Sequence, residues 1–366
     1  MKSILTGVAL MVVSSLHAFQ AYSFPAPDAG RSILPSAVCF LLDGQVHRLS
    51  RNGETLNRVT EEAFPVESFD VSPSTGDIVF VAGNSLLLLE ADGERRVLVE
   101  GEPLPPAGSG AAPFNDTSRI NGRIASPRWS PDGSTIAFIH NGLSSVNPAD
   151  GAITVLHPNG DPLSSGECRV ISGVDSWSPD GGLILVTCYD YPMESVYSIS
   201  TALKEVGGSL TVLREGFGNS AWSADGQSLF IGFPTVGGQP SFCRLDAPEW
   251  RCNMIGEEVP ARSYFFYGYP GVAQDGSVYV FIAGGADPMT TDGVYSLYRV
   301  NSRGEGAVIL RLDSYTLREA LWAGNGSGVL LVKGDGALVW VPANEGSASL
   351  LPINGASGLR WDPRGR

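Results

Sequence analysis

The chain has 366 residues, of which 43% are apolar and 17% charged, so it can bury a large core and is too apolar for a disordered protein. Its formal net charge of −14 comes without any basic cluster, which argues against a nucleic-acid binder that would neutralise phosphates. With 45 Gly and 25 Pro it is rich in turns and poor in long helices, a composition that points to an all-β fold.

Residues 1–23 read as a signal peptide. Lys2 supplies the leading positive charge, 4–16 form a short apolar run, and Ala21-Tyr22-Ser23 offers the small-x-small pattern cut by signal peptidases, with cleavage expected before Phe24. The apolar run is shorter than the roughly 20 residues a bilayer core requires. The first cysteine is Cys39, too far from the cut for lipid attachment. The expectation is therefore a soluble protein of the periplasm or the medium, with no membrane span after cleavage. A Pro-rich lead fills 24–36, and 37–366 form one repeat domain.

Three strands open that domain: 37–42, 45–50 after the turn Asp43-Gly44, and 54–59 after Asn52-Gly53. A four-strand cycle follows over 66–99, and the same cycle can be traced from Ile124, Val170, Asn219, Tyr267 and Thr316. Each cycle is organised by a strand, turn and strand, read most plainly at 127–138, PRWSPDGSTIAF. This unit returns as DSWSPDGGLILV at 175–186, SAWSADGQSLFI at 220–231 and GVAQDGSVYVFI at 271–282. Pro fixes φ, Asp-Gly tolerates a positive φ, and the β-branched and aromatic residues that follow suit a pleated surface. The markers Val71, Trp129, Trp177, Trp222, Val272, Trp322 and Trp361 recur about every 39 to 58 residues, the period of one four-stranded blade.

The last copy, around Trp361, contains only the first strand and the turn, and the three strands it lacks are those that open the domain. A lone sheet with apolar residues on both faces cannot stand in water, so copies must stack radially. The expected architecture is an all-β single propeller of seven four-stranded blades, closed by pairing the C-terminal strand 356–361 with the N-terminal strands. Six blades with an unpaired N-terminal extension are the alternative. Two long connections, 101–122 and 284–293, interrupt the period and carry no internal pattern.

Trp129-Ser130-Pro131-Asp132-Gly133 followed by Ile136-Ala137-Phe138 resembles the propeller repeat of TolB and its relatives among periplasmic proteins and propeller-bearing peptidases. Trp177 to Gly181 repeats the string, and Trp222-Ser223-Ala224-Asp225-Gly226 is a near match. The resemblance implies a periplasmic or secreted propeller that binds a protein. It departs from TolB in lacking an α/β domain before the first blade. The repeated Trp, Pro, Asp and Gly are blade-packing and turn residues, so any specificity should lie in the non-repeating residues beside them.

Five cysteines in an exported chain allow two disulfides and one free thiol. Counting outward from Asp246-Ala247-Pro248-Glu249 sets Cys243 opposite Cys252 in a hairpin, close enough to bridge. Cys168 and Cys188 are offset across their turn, and Cys39 reads as a buried free thiol.

No nucleophile elbow, zinc-binding helix, phosphate loop or Cys-x-x-Cys motif is present. His47, His140 and His157 fall on strands away from the axis of different blades. Asp70, Asp175 and Glu319 fall on or near innermost strands and are the candidates for a carboxylate site in the channel. Aromatic and Arg side chains make better anchors for a binding site. The sequence 264–269, YFFYGY, runs into an innermost strand near Arg262, while Arg128 and Arg360 precede the marker Trp of two other blades. Arg128, Tyr267, Tyr269 and Arg360 are the candidate ligand-binding residues at one end of the channel. The expected function is an exported binding module for an envelope or extracellular protein or a small ligand, without catalysis and without a cofactor, Ca²⁺ being the one cation the acidity would suit. The alternative is a propeller-type lyase or hydrolase with its active site in the channel.

Overall fold

The computed structural model describes residues 32–103, 117–160, 168–193, 196–215, 218–233, 241–254, 265–284, 295–300, 307–315, 317–343 and 347–365. The expected signal peptide, most of the lead, Arg262 and Tyr264 lie outside the described residues.

Among the described residues seven four-stranded antiparallel sheets succeed one another. Blades 1 to 6 span residues 66–100, 125–158, 170–215, 219–254, 265–315 and 317–354, each a simple meander. Blade 7 is composite: Ser357–Asp362 pairs antiparallel with Ala37–Leu42, and Gln45–Leu49 and Leu56–Arg58 complete it. First strands of neighbouring blades lie against one another and line the channel, while fourth strands carry exposed apolar residues such as Val97, Ile153, Val155 and Leu350. The propeller is thus closed by one C-terminal and three N-terminal strands, as the partial last repeat requires.

Apolar side chains on both faces of each sheet make the spaces between blades the core. The described clusters each join two neighbours, for example Val79, Val81 and Leu88 of blade 1 with Ile136, Phe138 and Val146 of blade 2. The marker tryptophans fill these seams from one side: Trp129, Trp222 and Trp361 pack in the clusters shared with the preceding blade. The Trp129 indole N–H is buried without a partner among the described residues, but other markers add a second tie through theirs. Trp177 donates to the Arg128 carbonyl at 3.1 Å, Trp322 to the Tyr269 carbonyl at 2.9 Å and Trp361 to the Trp322 carbonyl at 2.7 Å.

The repeated turn is a hydrogen-bonded knot. Ser130 Oγ donates to Asp132 Oδ1 at 2.6 Å and accepts from the Thr135 N–H at 3.0 Å, while Asp132 also accepts from Ser134 N–H at 2.9 Å and Gly133 takes φ 73°. Ser178 with Asp180 and Ser223 with Asp225 repeat the pattern. These hydrogen bonds, led by the one from the turn serine, hold all three carboxyls below the usual carboxylate range. The turn aspartates are structural.

Blade 7 departs from the others at the residue after its marker, where Asp362 stands in place of Ser or Ala. Its carboxylate has no exposed side-chain surface and accepts from Arg48 Nε at 2.6 Å and Arg364 Nη2 at 2.9 Å, and its carbonyl accepts from Ser36 Oγ. Burial by itself would raise its pKa, but the hydrogen bonds from Arg364 and Arg48 outweigh it and hold the carboxyl low. N-terminal and C-terminal segments are therefore joined by charge as well as by strand pairing.

Two sequence expectations need correction. Cys243 and Cys252 are bridged, with Cα atoms 5.1 Å apart, but they are not directly opposed: Cys243 pairs with Met254 and Cys252 with Leu245. The turn before Arg251 is longer than a two-residue hairpin and holds Trp250 at φ 50°, which slips the register by two. Cys168 and Cys188, offset in sequence, are also bridged, with Cα atoms 5.0 Å apart, and Cys39 is a buried thiol whose pKa burial pushes up to about 12. In addition, 117–122 of the first long connection form a short helix rather than patternless loop. In denatured, unreduced protein one thiol should alkylate, and five after reduction; mass spectrometry reads the count. Reduction should remove roughly 3 kcal/mol for the 20-residue loop between Cys168 and Cys188.

Candidate functional site

The innermost strands are not regular. Six of the seven carry a one-residue bulge against the second strand of their sheet, at positions between Val66 and Ser68, Ala125 and Arg128, Val174 and Ser176, Gly268 and Gly271, Leu317 and Glu319, and Arg360 and Ser357. Ser126 and Tyr269 take the left-handed backbone there, at φ 51° and 52°, which costs about 1 kcal/mol or more at a non-glycine residue. A bulge re-aims the side chains within it, and Asp175 and Tyr269, which line the axis, stand inside two of these bulges.

The result is one cavity of about 590 Å³, lined by Asp70, Arg128, Asp175, Tyr269, Glu319 and Arg360 from blades 1, 2, 3, 5, 6 and 7. Asp70 is buried and fully used: Oδ1 accepts from Arg360 Nε at 2.8 Å and Oδ2 from the Trp129 N–H at 2.8 Å. Glu319 accepts from the N–H groups of Gly358 at 2.8 Å and Leu359 at 2.6 Å, so a side chain of blade 6 satisfies the inner edge of blade 7. Arg128 donates through Nε to the Asp175 carbonyl at 3.0 Å and through Nη1 to the Pro127 carbonyl at 2.8 Å. Enclosure in the channel, followed by the charge of Arg360, lowers its pKa to about 10, so it remains charged at neutral pH.

Asp175 is exposed to solvent in the lumen, where the first strands of the ring enclose the channel around it. That enclosure raises its pKa to about 6, against the opposing pull of a 2.8 Å hydrogen bond from Thr187 Oγ1 and the charge of Arg128. A carboxyl whose folded pKa lies above the ordinary value near 4 favours the folded state while protonated, so its contribution is lost as pH rises from about 4 to about 6. Asp175→Asn should remove this downward step from a plot of Tm against pH; an unchanged plot would contradict the assignment.

Of the residues singled out from sequence, Arg128, Tyr269 and Arg360 meet in this cavity, together with the carboxylates Asp70, Asp175 and Glu319. The Tyr269 hydroxyl donates to the Arg318 carbonyl at 2.8 Å and its carbonyl receives the Trp322 indole, so this residue both lines the cavity and ties blade 5 to blade 6. Tyr267 lies on the same strand, paired with Ile282. The histidines stay off the axis, but not in three different blades as expected: His47 is on the third strand of blade 7, and His140 and His157 share blade 2, just past its second strand and on its fourth. Among the described residues no group of three or more His, Cys, Asp or Glu is arranged to hold a metal ion. Sequence reading missed the bulges and the backbone contacts that fix each charged group, although Gly268, Pro270 and Gly271 around Tyr269, Pro127 after Ser126 and Gly358 are the strand-breaking residues that mark such positions.

A second cavity, of about 410 Å³, opens beside the first and shares Val71 and Pro73 with it. Trp361, Pro35 and Pro363 form its apolar wall, and Gln274 and Asn325 supply amide groups.

No protein-family model matches the sequence, and no curated protein matches it. Solved structures do. The tricorn protease superposes with a TM-score of 0.58 at 11% identity, over 88% of this chain and 33% of that one. Puromycin hydrolase gives 0.57 at 15% identity, over 91% of this chain and 55% of that one. TolB from Acinetobacter baumannii gives 0.47 at 14% identity, over 89% and 81%, too loose a superposition to carry an argument. This chain spans about a third of the tricorn protease and about half of puromycin hydrolase, so at these identities the likeness is one of fold, and the chain is a β-propeller.

Proposed function

We propose that this protein is an exported binding module that holds an envelope or extracellular protein, or a small ligand, at the channel cavity. The observation that carries the reading is the convergence of Arg128, Tyr269 and Arg360, from three blades and on bulged strands, on one open cavity. None of these residues belongs to the repeated Trp-Ser-Pro-Asp-Gly string, and bulges beside a cleft commonly serve to aim side chains at a ligand. Tyr267 stands on the strand of Tyr269, and its side chain lies outside the described residues. Export is supported by the two disulfides, which persist in oxidising compartments, and no described helix is long and apolar enough to cross a membrane.

The test is differential capture. Wild type and Arg128→Gln, matched for Tm, are incubated with envelope extract and culture medium, and the retained species are quantified by mass spectrometry. The reading expects at least one species retained by wild type and reduced about tenfold or more on the variant. Identical profiles would sink it.

A further inference from the structure

The two arginines of the cavity are not equivalent. Arg360 is paired with Asp70, whose other oxygen is taken by a backbone N–H. Arg128 has no carboxylate oxygen within ion-pair distance among the described residues; its two hydrogen bonds run to carbonyls and leave Nη2 unused. Glu319 spends both oxygens on backbone N–H groups. Arg128 is thus a rigidly held guanidinium without a contact counter-ion, facing a cavity. Its planar fork matches a carboxylate, with which it forms charge-assisted hydrogen bonds.

The adjoining cavity extends the site in one direction. It shares Val71 and Pro73 with the first, is walled by Trp361 and two prolines, and presents the side-chain amide of Gln274 and the Nδ2 group of Asn325, whose oxygen accepts from the Ser327 N–H of its own turn. Amides pair with the N–H and C=O groups of an extended chain, while the aromatic and proline wall suits its side chains.

Resting on the binding-module reading, we propose that the two cavities form one site for the C-terminal end of an extended peptide, with its terminal carboxylate on Arg128 and its preceding residues in the Trp361 cleft. The charged groups facing Arg128 are Arg360, Asp70, Asp175 and Glu319. Three are compensated by one another or by backbone groups, whereas Asp175 changes charge near pH 6. An ionised Asp175 repels an incoming carboxylate and a protonated one does not, so binding should tighten as pH falls from about 7.5 to about 5.5.

The full chain is equilibrated with a pool of randomised hexapeptides bearing free C-terminal carboxylates, and separately with the same pool amidated. Retained peptide is measured by ultrafiltration and mass spectrometry at both pH values. The site predicts about tenfold or greater preference for the carboxylate pool. It also predicts stronger retention at the lower pH, loss of the preference in Arg128→Gln, and loss of the pH trend in Asp175→Asn. If Arg128→Gln does not fold, the carboxylate-to-amide ratio and the pH trend of wild type decide the matter. Equal retention of the two pools overturns the inference, as does competition by succinate at the concentrations effective for peptide, which would reassign the site to small carboxylates. If either result came with Arg128-dependent capture of another species, the binding-module reading would stand; if that capture also failed, both would fall.

Discussion

Deletion of residues 358–366 should yield a chain that is not recovered as a folded monomer, or one whose Tm lies at least about 10 °C below that of the full protein. The segment supplies the inner strand of blade 7, which hydrogen bonds to Ala37–Leu42 hold in its sheet. Leu359 is fully buried and Trp361 packs in the seam with blade 6, so their loss alone costs several kcal/mol out of a total of about 5–15. Deletion also leaves Arg48 without Asp362 and Glu319 without its two backbone donors. Most of all, it opens the ring: Ala37–Leu42 becomes an edge, a template for pairing with another copy. Circular dichroism melts and size-exclusion chromatography read both consequences. A truncated chain that melts like the full one would mean the ring is closed by something other than this strand.

The second large effect is expected at Asp70. Asp70→Ala leaves the Trp129 N–H without an acceptor and Arg360 without its counter-ion, both at a buried position where three blades meet. Removing one partner from such a group costs about 3 kcal/mol, because what remains is desolvated and unpaired. Asp70→Asn should cost less, since the amide oxygen can still accept from Trp129. Arg360→Met leaves only Asp70 Oδ1 without its partner while Oδ2 keeps the Trp129 N–H, so it should be the milder member of the pair, and the double variant less destabilised than the sum of the singles. Urea unfolding measures all four. Additive losses would mean that the Asp70–Arg360 pair is not coupled.

Much of this architecture was legible because a repeat displays its own logic. The Ser-Pro-Asp-Gly turns identify themselves by composition, and the partial copy at Trp361 tells which three strands it lacks. The charged ring was legible only by residue type. Arg128, Arg360 and Asp70 each immediately precede a marker, so alternation puts them on one face, but Asp175 stands two residues before Trp177 and should point the other way. It faces the channel because it is the extra residue of the bulge between Val174 and Ser176; Gly173 marks an irregular strand but does not tell which residue is displaced. The same limit applies to Cys243 and Cys252, whose pairing was readable from hairpin geometry while their two-residue offset depended on the backbone of Trp250. What sequence cannot display is contact between blades: the Asp175 carbonyl that holds Arg128 and the N–H groups that occupy Glu319 belong to neighbouring blades, far along the chain.

The channel and the outer rim offer competing surfaces for a partner, since Ile153 and Val155 on the outermost strand of blade 2 are 49% and 54% exposed. The most direct measurement is the affinity of the captured partner for wild type, for Arg128→Gln/Tyr269→Phe in the channel, and for Ile153→Asp/Val155→Asp at the rim, at matched Tm. Binding through the channel predicts a loss of about tenfold or more in the first variant and an unchanged Kd in the second. The reverse pattern would place the binding surface on the rim and contradict the assignment of the channel.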